Sequence, residues 1–518
     1  MALNIKDVHD AAALAAYLGP RFSQPMDPAA SPFLEMLTRR VMVFDGGMGT
    51  QVFSFNLTLK DFWEKENCVD VLALSRPDVI QEIHRRYFAA GSDCVETDTF
   101  GANPLVLSEF GLQDRCREMN RAAVQLARAA ANSFKDGRPR FVAGSIGPGT
   151  KAITLGHVDY QTLLESYREQ ARGLLDDGHG GGGVDALLVE TQFDLNTAKI
   201  AATACLDVMR ELDRRVPLMV QVTMETTGTM LLGTEMAAAI ATLESLPIDI
   251  LGLNCATGPE LMRQHVATLS QNSTRFLSVQ PNAGLPVLHE GHTHFPLGAA
   301  ELAKAHVDFV TTFGINICGG CCGTTPEHIQ AVAAAVRDLQ PKPREAFARP
   351  TTAATATITS LYSAVGARQD TSILIVGERT NTNGSKKFRE AMIAGDFDLL
   401  VSMGREQVKE GSHVVDVCVD YVGREGVPDM AQVIKRFAKE VAAPLMIDST
   451  QLDVIEEGLR LAPGKCIVNS INLEDGEHKL AQMAYLLKRY GAAVVAGTIV
   501  SRTASRIISW SWVNSMGS

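Results

Sequence analysis

Eight short apolar runs, each ending in a Gly-rich or polar turn that leads into a helical stretch, recur between Val41 and Cys318. They lie at residues 41–44, 94–97, 141–144, 186–189, 218–221, 250–253, 276–279 and 315–318. A short run that is apolar throughout has two faces to bury, and strands alternating with helices bury both in a parallel sheet that the helices cover. Eight such units over about 300 residues predict an α/β fold, an N-terminal (β/α)8 barrel. The first helical stretch carries its own punctuation: Pro77 at its start, Ile80, Ile83 and Tyr87 at helical spacing, and Gly91 at its end.

In such a barrel the residues just after each strand gather on one face, where active sites lie. Two of these turns carry cysteines. GLNCATGP (252–259) places Cys255 past the sixth run, and GGCCGTTP (319–326) places Cys321 and Cys322 past the eighth. Three thiols from two strand ends leave a soft tetrahedral ion one ligand short, which is the catalytic arrangement for zinc; structural sites close with four. The plainer reading is that adjacent cysteines are small core residues. Cys318 would add a fourth sulfur through a Cys-x-x-Cys, but strand alternation points it to the other face. A zinc-bound thiol is deprotonated at neutral pH and the thiolate is the nucleophile, so the pattern predicts an activated-thiol enzyme. Other strand ends are polar as well: Asp45 with Gly46 and Gly47, residues 96–101 (ETDTFG), 144–148 (GSIGP), and Glu190 with Thr191.

GLNCATGP and GGCCGTTPEHI resemble, nearly letter for letter, the zinc-binding motifs of the homocysteine S-methyltransferase domain, and DGGMGT, ETDTF, GSIGP and ETQFD follow in that family's order. The resemblance implies Cys255, Cys321 and Cys322 as zinc ligands, with the homocysteine thiol as the fourth. It also implies that Asp45 and Glu190 hold the ammonium of homocysteine, a charge-assisted contact suited to strand-end carboxylates, while amides of the Gly-rich turns suit its carboxylate.

From Ile373 a second strand–helix alternation begins. Its motifs GERTNTNGSKKF (377–388), MIDST (446–450) and GKCIVNSINLEDGE (464–477) resemble the pterin-binding domain shared by dihydropteroate synthase and the methyltetrahydrofolate methyltransferases. The resemblance implies Asn381, Asp416, Asp448 and Asn469 as contacts to the donor and acceptor edge of a pterin; some relatives have Asn at the place of Cys418. The two domains in this order resemble the cobalamin-dependent methionine synthase family. That likeness implies methionine formation from homocysteine, with methylcobalamin as the methyl donor and 5-methyltetrahydrofolate recharging it. Three other readings stay open: a betaine- or sulfonium-using homocysteine methyltransferase, a pterin-condensing synthase, and a non-catalytic zinc- and homocysteine-binding fragment.

The expected organisation is a helical cap at 1–38, the zinc barrel at 39–340, a Pro- and Ala/Thr-rich linker at 341–370, a partial pterin-binding barrel at 371–499 and a tail at 500–518 outside the resemblance. Residues 357–359 are expected to pair with 372–376 as a hairpin. A second barrel of about five strands is expected to be unstable alone, because open edges leave backbone groups unpaired. No cobalamin-binding module is expected among these residues; the letters Asp-x-His-x-x-Gly fall only at 177–182, inside the glycine-rich stretch. HEGHTH (289–294) lacks the i, i+4 spacing of a zinc helix and reads as a loop, as does the glycine run at 180–183. A net charge of −11 argues against a nucleic-acid partner. With no membrane-length apolar run, no signal-peptide pattern at the start and ten cysteines in 518 residues, the expectation is a cytoplasmic protein whose cysteines are core residues and ligands.

Overall fold

The computed structural model describes residues 19–176, 183–289, 292–341, 343, 357–472 and 476–497. Residues 1–18 of the expected helical cap, residues 180–182 of the glycine run and the 500–518 tail lie outside them. The eight runs form strands β1 (Met42–Val43), β2 (Cys94–Glu96), β3 (Phe141–Ile146), β4 (Ala186–Gln192), β5 (Leu218–Val222), β6 (Ile250–Asn254), β7 (Phe276–Gln280) and, after a hairpin of β8 (Val287–His289) and β9 (His292–His294), β10 (Ile317–Cys318). All are parallel, in the order β1-β10-β7-β6-β5-β4-β3-β2. Each barrel strand is followed by a helix, from Pro77–Ala90 after β1 to Pro326–Val336 after β10. Pro77 begins the first helix and Gly91, at φ 112°, ends it in the left-handed conformation that a Cβ disfavours. HEGHTH is thus not a loop: its ends pair as β8 and β9.

Polar residues at strand starts hold the barrel together from below. The carboxylates of Asp93, Asp185 and Asp249, each just before β2, β4 or β6, accept the backbone N–H of Val43 (3.0 Å), Val142 (2.7 Å) and Leu218 (2.7 Å) on the preceding strand. Asn316, before β10, accepts that of Leu277 at 2.9 Å. Asp93 also bridges the two end strands, since its own N–H donates to the Val43 carbonyl at 2.6 Å. A buried carboxylate that takes backbone N–H groups satisfies donors the ladder leaves over. Beneath them, helix Pro32–Arg39 inserts Phe33, Leu34 and Leu37 against Phe44, Phe141 and Ile317 and closes the barrel floor. The expected cap is therefore a plug, and burying each such side chain stabilises the fold by about 1.5–3 kcal/mol.

The second unit has a five-stranded parallel sheet of β13 (Val376–Gly377), β14 (Val414–Val417), β15 (Leu445–Asp448), β16 (Ile467–Ile471) and β17 (Ala493–Ala496). Within the stretch read as linker, β11 (Thr357–Thr359) pairs antiparallel with β12 (Ala364–Gly366). The expected partner of 357–359, residues 372–376, is not used. A turn at 360–363, where Ser360 Oγ accepts the N–H groups of Tyr362 and Ser363, closes the hairpin far sooner. Ile358 then packs on Val414, Met446 and Ile467 as the floor of the second sheet.

The two units share a polar and apolar seam along helix Leu195–Glu211. Lys199 Nζ donates to the carbonyls of Ala462 (2.8 Å) and Gly464 (3.3 Å) beyond the end of helix Leu452–Leu461. Asp207 pairs with Arg489 through both guanidinium nitrogens, at 2.7 and 2.8 Å. Among the described residues no helix is long and apolar enough to cross a membrane.

Candidate metal centre and substrate site

The three strand-end cysteines converge. The sulfurs of Cys255, Cys321 and Cys322 all lie within 4.8 Å of one another, and Cys255 and Cys322 are 3.9 Å apart. Cys322 is exposed and the other two are half-buried, so the cluster opens to solvent. Cys318 is not part of it: Ile317 faces the barrel interior, and Cys318, one residue on, is buried in the layer between sheet and helices, where desolvation pushes its thiol well up. Within the cluster, hydrogen bonds from the thiols of Cys321 and Cys322 pull Cys255 down to about 3, while their own values rise as donors to it. The trio is organised to carry negative charge on sulfur.

The two cysteine turns are stitched by the segment that follows β7. Gln280 O accepts the N–H of Cys255 at 3.1 Å, Pro281 O that of Cys321 at 3.0 Å, and Asn282 Oδ1 that of Cys322 at 3.0 Å. Thr324 Oγ1 donates to Cys321 O at 2.6 Å. Cys255 and Ala256 sit at φ 61° and 57°, in the left-handed region, and Thr191, β-branched, sits at φ 55°. Non-glycine residues there cost energy and persist only where surroundings hold them; Asn254 does so for Thr191, accepting its N–H and donating to its hydroxyl, both at 2.7 Å. Gly323, at φ 78°, lies so close to Phe295 that a Cβ would come within 2.2 Å of the ring. Replacing Gly323 with Ala is expected to shift the turn next to Cys322, to cost about 1–3 kcal/mol and to weaken metal retention, read by calorimetry and metal analysis of the same preparation.

Carboxylates crowd beside the sulfurs. Asp45 is buried; its Oδ2 accepts the N–H of Glu96 at 3.1 Å and its Oδ1 has no partner among the described residues. Glu190 accepts from Ser145 Oγ at 2.5 Å and Asn254 Nδ2 at 2.9 Å. Glu96 accepts from Gln280 Nε2 at 2.7 Å. Desolvation pushes all three up, Glu190 to about 7, with mutual repulsion adding to Glu96 and Asp45. None of the ion pairs among the described residues involves any of the three. The pocket therefore holds acid groups without a cation. The amide of Gly47, a candidate for a substrate carboxylate, donates instead to Thr324 Oγ1 at 3.1 Å.

In the second unit, Asn381 Nδ2 bridges Asp416 Oδ2 and Asp448 Oδ2, each at 3.0 Å. Desolvation raises both carboxyls, Asp416 to about 7, and Asp416 Oδ1 is a buried acceptor with no partner among the described residues. Asn469 pairs in register with Asp448 on the adjacent strand. Cys418 is buried beside them, with Asn383 Nδ2 at 3.7 Å from its sulfur. Sequence reasoning missed Gln280, Asn282 and Asn254. The only signal was their position at the ends of runs.

Comparison with known proteins assigns both units. The sequence profile described as "Pterin binding enzyme" matches residues 377–507, running past Ile499 where the expected resemblance stopped. Methionine synthase of Mycobacterium tuberculosis (strain ATCC 25618 / H37Rv) is 46% identical over 470 residues, which is 90% of this chain and 38% of that protein. Methionine synthase of Mycobacterium leprae is 45% identical over 479 residues, 92% of this chain and 39% of that protein. The chain thus spans less than two fifths of the length of these curated relatives. Among solved structures, the metallated form of the homocysteine methyltransferase MmuM from Escherichia coli is 23% identical, with a TM-score of 0.48, covering 60% of this chain and 99% of that one. The profile described as "Homocysteine S-methyltransferase" matches residues 42–336, more than half of the chain and the whole barrel from β1 to β10 with both cysteine turns, so this chain belongs to the homocysteine S-methyltransferase family.

Proposed function

We propose that the first barrel binds zinc and homocysteine and presents the homocysteine sulfur for methylation to methionine, as part of a methionine synthase. The observation that carries the reading is the meeting, at one barrel mouth, of three sulfurs with three carboxylates that lack a cation. The donor set fits zinc: bonds of about 2.3 Å at tetrahedral angles separate sulfurs by roughly 3.8 Å, against 3.9 Å between Cys255 and Cys322. Zinc held by Cys255, Cys321 and Cys322 would supply the positive charge that keeps a fourth, substrate sulfur deprotonated at neutral pH. The chain's own residues do the rest. Asn282, Pro281 and Gln280 fix the cysteine backbones, and Asp45 and Glu190 offer acceptors to the substrate ammonium, Asp45 through its unused Oδ1. An ammonium between them relieves their repulsion, which a neutral or anionic ligand would not.

In the second unit, Asn381, Asp416, Asp448 and Asn469 form the polar edge for the pterin of 5-methyltetrahydrofolate, and the unpartnered Asp416 Oδ1 suits a ring N–H. In this reading the methyl group reaches homocysteine from methylcobalamin that 5-methyltetrahydrofolate recharges. The test is zinc-edge spectroscopy on the zinc-loaded chain. Three sulfurs at rest and four with homocysteine support the reading, whereas four at rest refute it. Replacing Asp45 with Asn is expected to weaken homocysteine binding by about 10- to 100-fold, the worth of a charged hydrogen bond, with zinc content unchanged.

A further inference from the structure

Gln280 at the end of β7 reaches both halves of the site, as Asn254 does through Glu190 and the Cys321 sulfur. The Gln280 backbone carbonyl holds the N–H of Cys255 at 3.1 Å, and its side-chain Nε2 donates to Glu96 at 2.7 Å. One residue at the end of β7 thus ties the sulfur half of the site to the carboxylate half. Its amide cannot turn freely. Gln280 Oε1 accepts from Gln221 Nε2, which also donates to Ser278 Oγ at 2.8 Å. All three residues are buried in the barrel lumen, Gln221 and Ser278 completely. Because Gln221 occupies the oxygen, the NH2 of Gln280 must face Glu96. Gly319, two residues before Cys321, closes the other side: a Cβ there would stand 3.1 Å from both Gln280 Cγ and Nε2.

We propose that Gln280 is a positioning residue that sets the distance between the sulfur cluster and the carboxylates, with Glu96 as the third acceptor of the ammonium pocket, and so selects among amino-acid thiols by chain length. The inference rests on the homocysteine reading above. Physically, a substrate anchored at both ends is discriminated by the separation of its anchors. Cysteine is one methylene shorter than homocysteine, so once its sulfur joins the cluster its ammonium stops short of the carboxylates and leaves them unpaired. A site whose amides are held by one another, as Gln280 Oε1 is by Gln221 Nε2 even though Gln221 Oε1 has no partner among the described residues, punishes that mismatch, whereas one with a mobile Glu96 adapts to it. The element here is the chain Ser278–Gln221–Gln280–Glu96, running inside the barrel from β7 to β5, back to β7 and across to β2.

The experiment uses the zinc-loaded full chain and measures affinity for homocysteine, cysteine and 1-propanethiol, the last having a thiol and no amino-acid end. Gln280→Met, close in volume but without the donor, is expected to lose about 10- to 100-fold in homocysteine affinity. Its homocysteine-to-cysteine ratio should fall toward one, while its 1-propanethiol affinity and zinc content stay at the wild-type level. Gln221→Met touches neither sulfur nor carboxylate and frees the Gln280 amide to turn, so it should lower the same ratio by a smaller factor. It also provides the test if Gln280→Met does not fold. A wild-type ratio in both variants, or equal losses for homocysteine and 1-propanethiol, overturns the positioning role and leaves the homocysteine site standing. A wild-type chain that binds 1-propanethiol and homocysteine equally overturns this inference and the homocysteine reading together.

Discussion

Replacing Cys255 by serine is expected to empty the metal centre without unfolding the barrel. The cluster offers three sulfurs and no fourth protein ligand among the described residues. Losing one leaves two thiolates on a soft ion, and zinc affinity should drop by at least about 100-fold, given that four-ligand structural sites are worth about 10–16 kcal/mol in total. The barrel does not depend on the ion for closure, because Asp93, Asp185, Asp249 and Asn316 join its strands from below and helix Pro32–Arg39 fills its floor. Metal analysis after dialysis against a weak chelator, alongside circular dichroism, reads both halves of the expectation. Cys318→Ser is the control and should keep its zinc, since Cys318 is buried behind the sheet. A Cys255→Ser protein that still holds one zinc per chain would sink the assignment. The metal-free protein gives an independent check. Hydrogen bonds among Cys255, Cys321 and Cys322 favour one thiolate shared by the cluster, so an alkylating agent at about pH 6 should label this cluster ahead of the other seven cysteines, and added zinc should block the reaction.

The second large effect belongs to the seam between the units. Replacing Asp207 with Ala should destabilise the full chain by about 3–5 kcal/mol, because it removes the buried carboxylate that two neighbouring buried guanidiniums share, although Arg168 keeps its pair with Glu165. Arg489 contacts Asp207 at 2.7 and 2.8 Å from the second unit, Arg168 contacts it from the first, and all three side chains are at most 9% exposed. Calorimetry on the full chain should show a lower first transition, and limited proteolysis should release the second unit earlier. The double variant Asp207→Ala with Arg489→Met should recover part of the loss, as one of the two buried guanidiniums that shared the carboxylate is then gone. An unchanged melting profile in the single variant would mean that the seam carries no stability. The pH dependence has a definite sign. Burial pushes the Asp207 carboxyl up, but Arg489 and Arg168 outweigh it and hold it at about 2. The folded value therefore lies below the unfolded one, near 3.9. The contribution is complete above about pH 4 and fades as pH falls from there through about 2, so acid should loosen the seam while neutral-to-alkaline changes leave it intact.

The order of the eight barrel strands and the placement of the cysteine turns were legible from local pattern alone. Apolar runs of strand length and Gly-rich turns report on neighbours a few residues apart, and parallel strand–helix repeats admit few topologies. Alternation along residues 317 and 318 also sufficed to set Cys318 apart from Cys321 and Cys322. Local pattern failed where the partner was distant or too near. Residues 357–359 were expected to pair with 372–376 because both are β-prone, but a Ser360 turn closed on 364–366 first. HEGHTH read as a loop because its polar residues hide a hairpin register.

Motif thus singled out the candidate site residues, because thiols, carboxylates and amides keep their chemistry in any fold. What holds them at working distances was decided by closure of the barrel. Gln280 and Asn282 meet the two cysteine turns, Gln221 reaches Gln280 across the lumen, and Asp207 meets Arg489, 282 residues away. Each contact joins side chains whose proximity exists only once the ladder of parallel strands has brought their ends together, and no spacing along the chain encodes it.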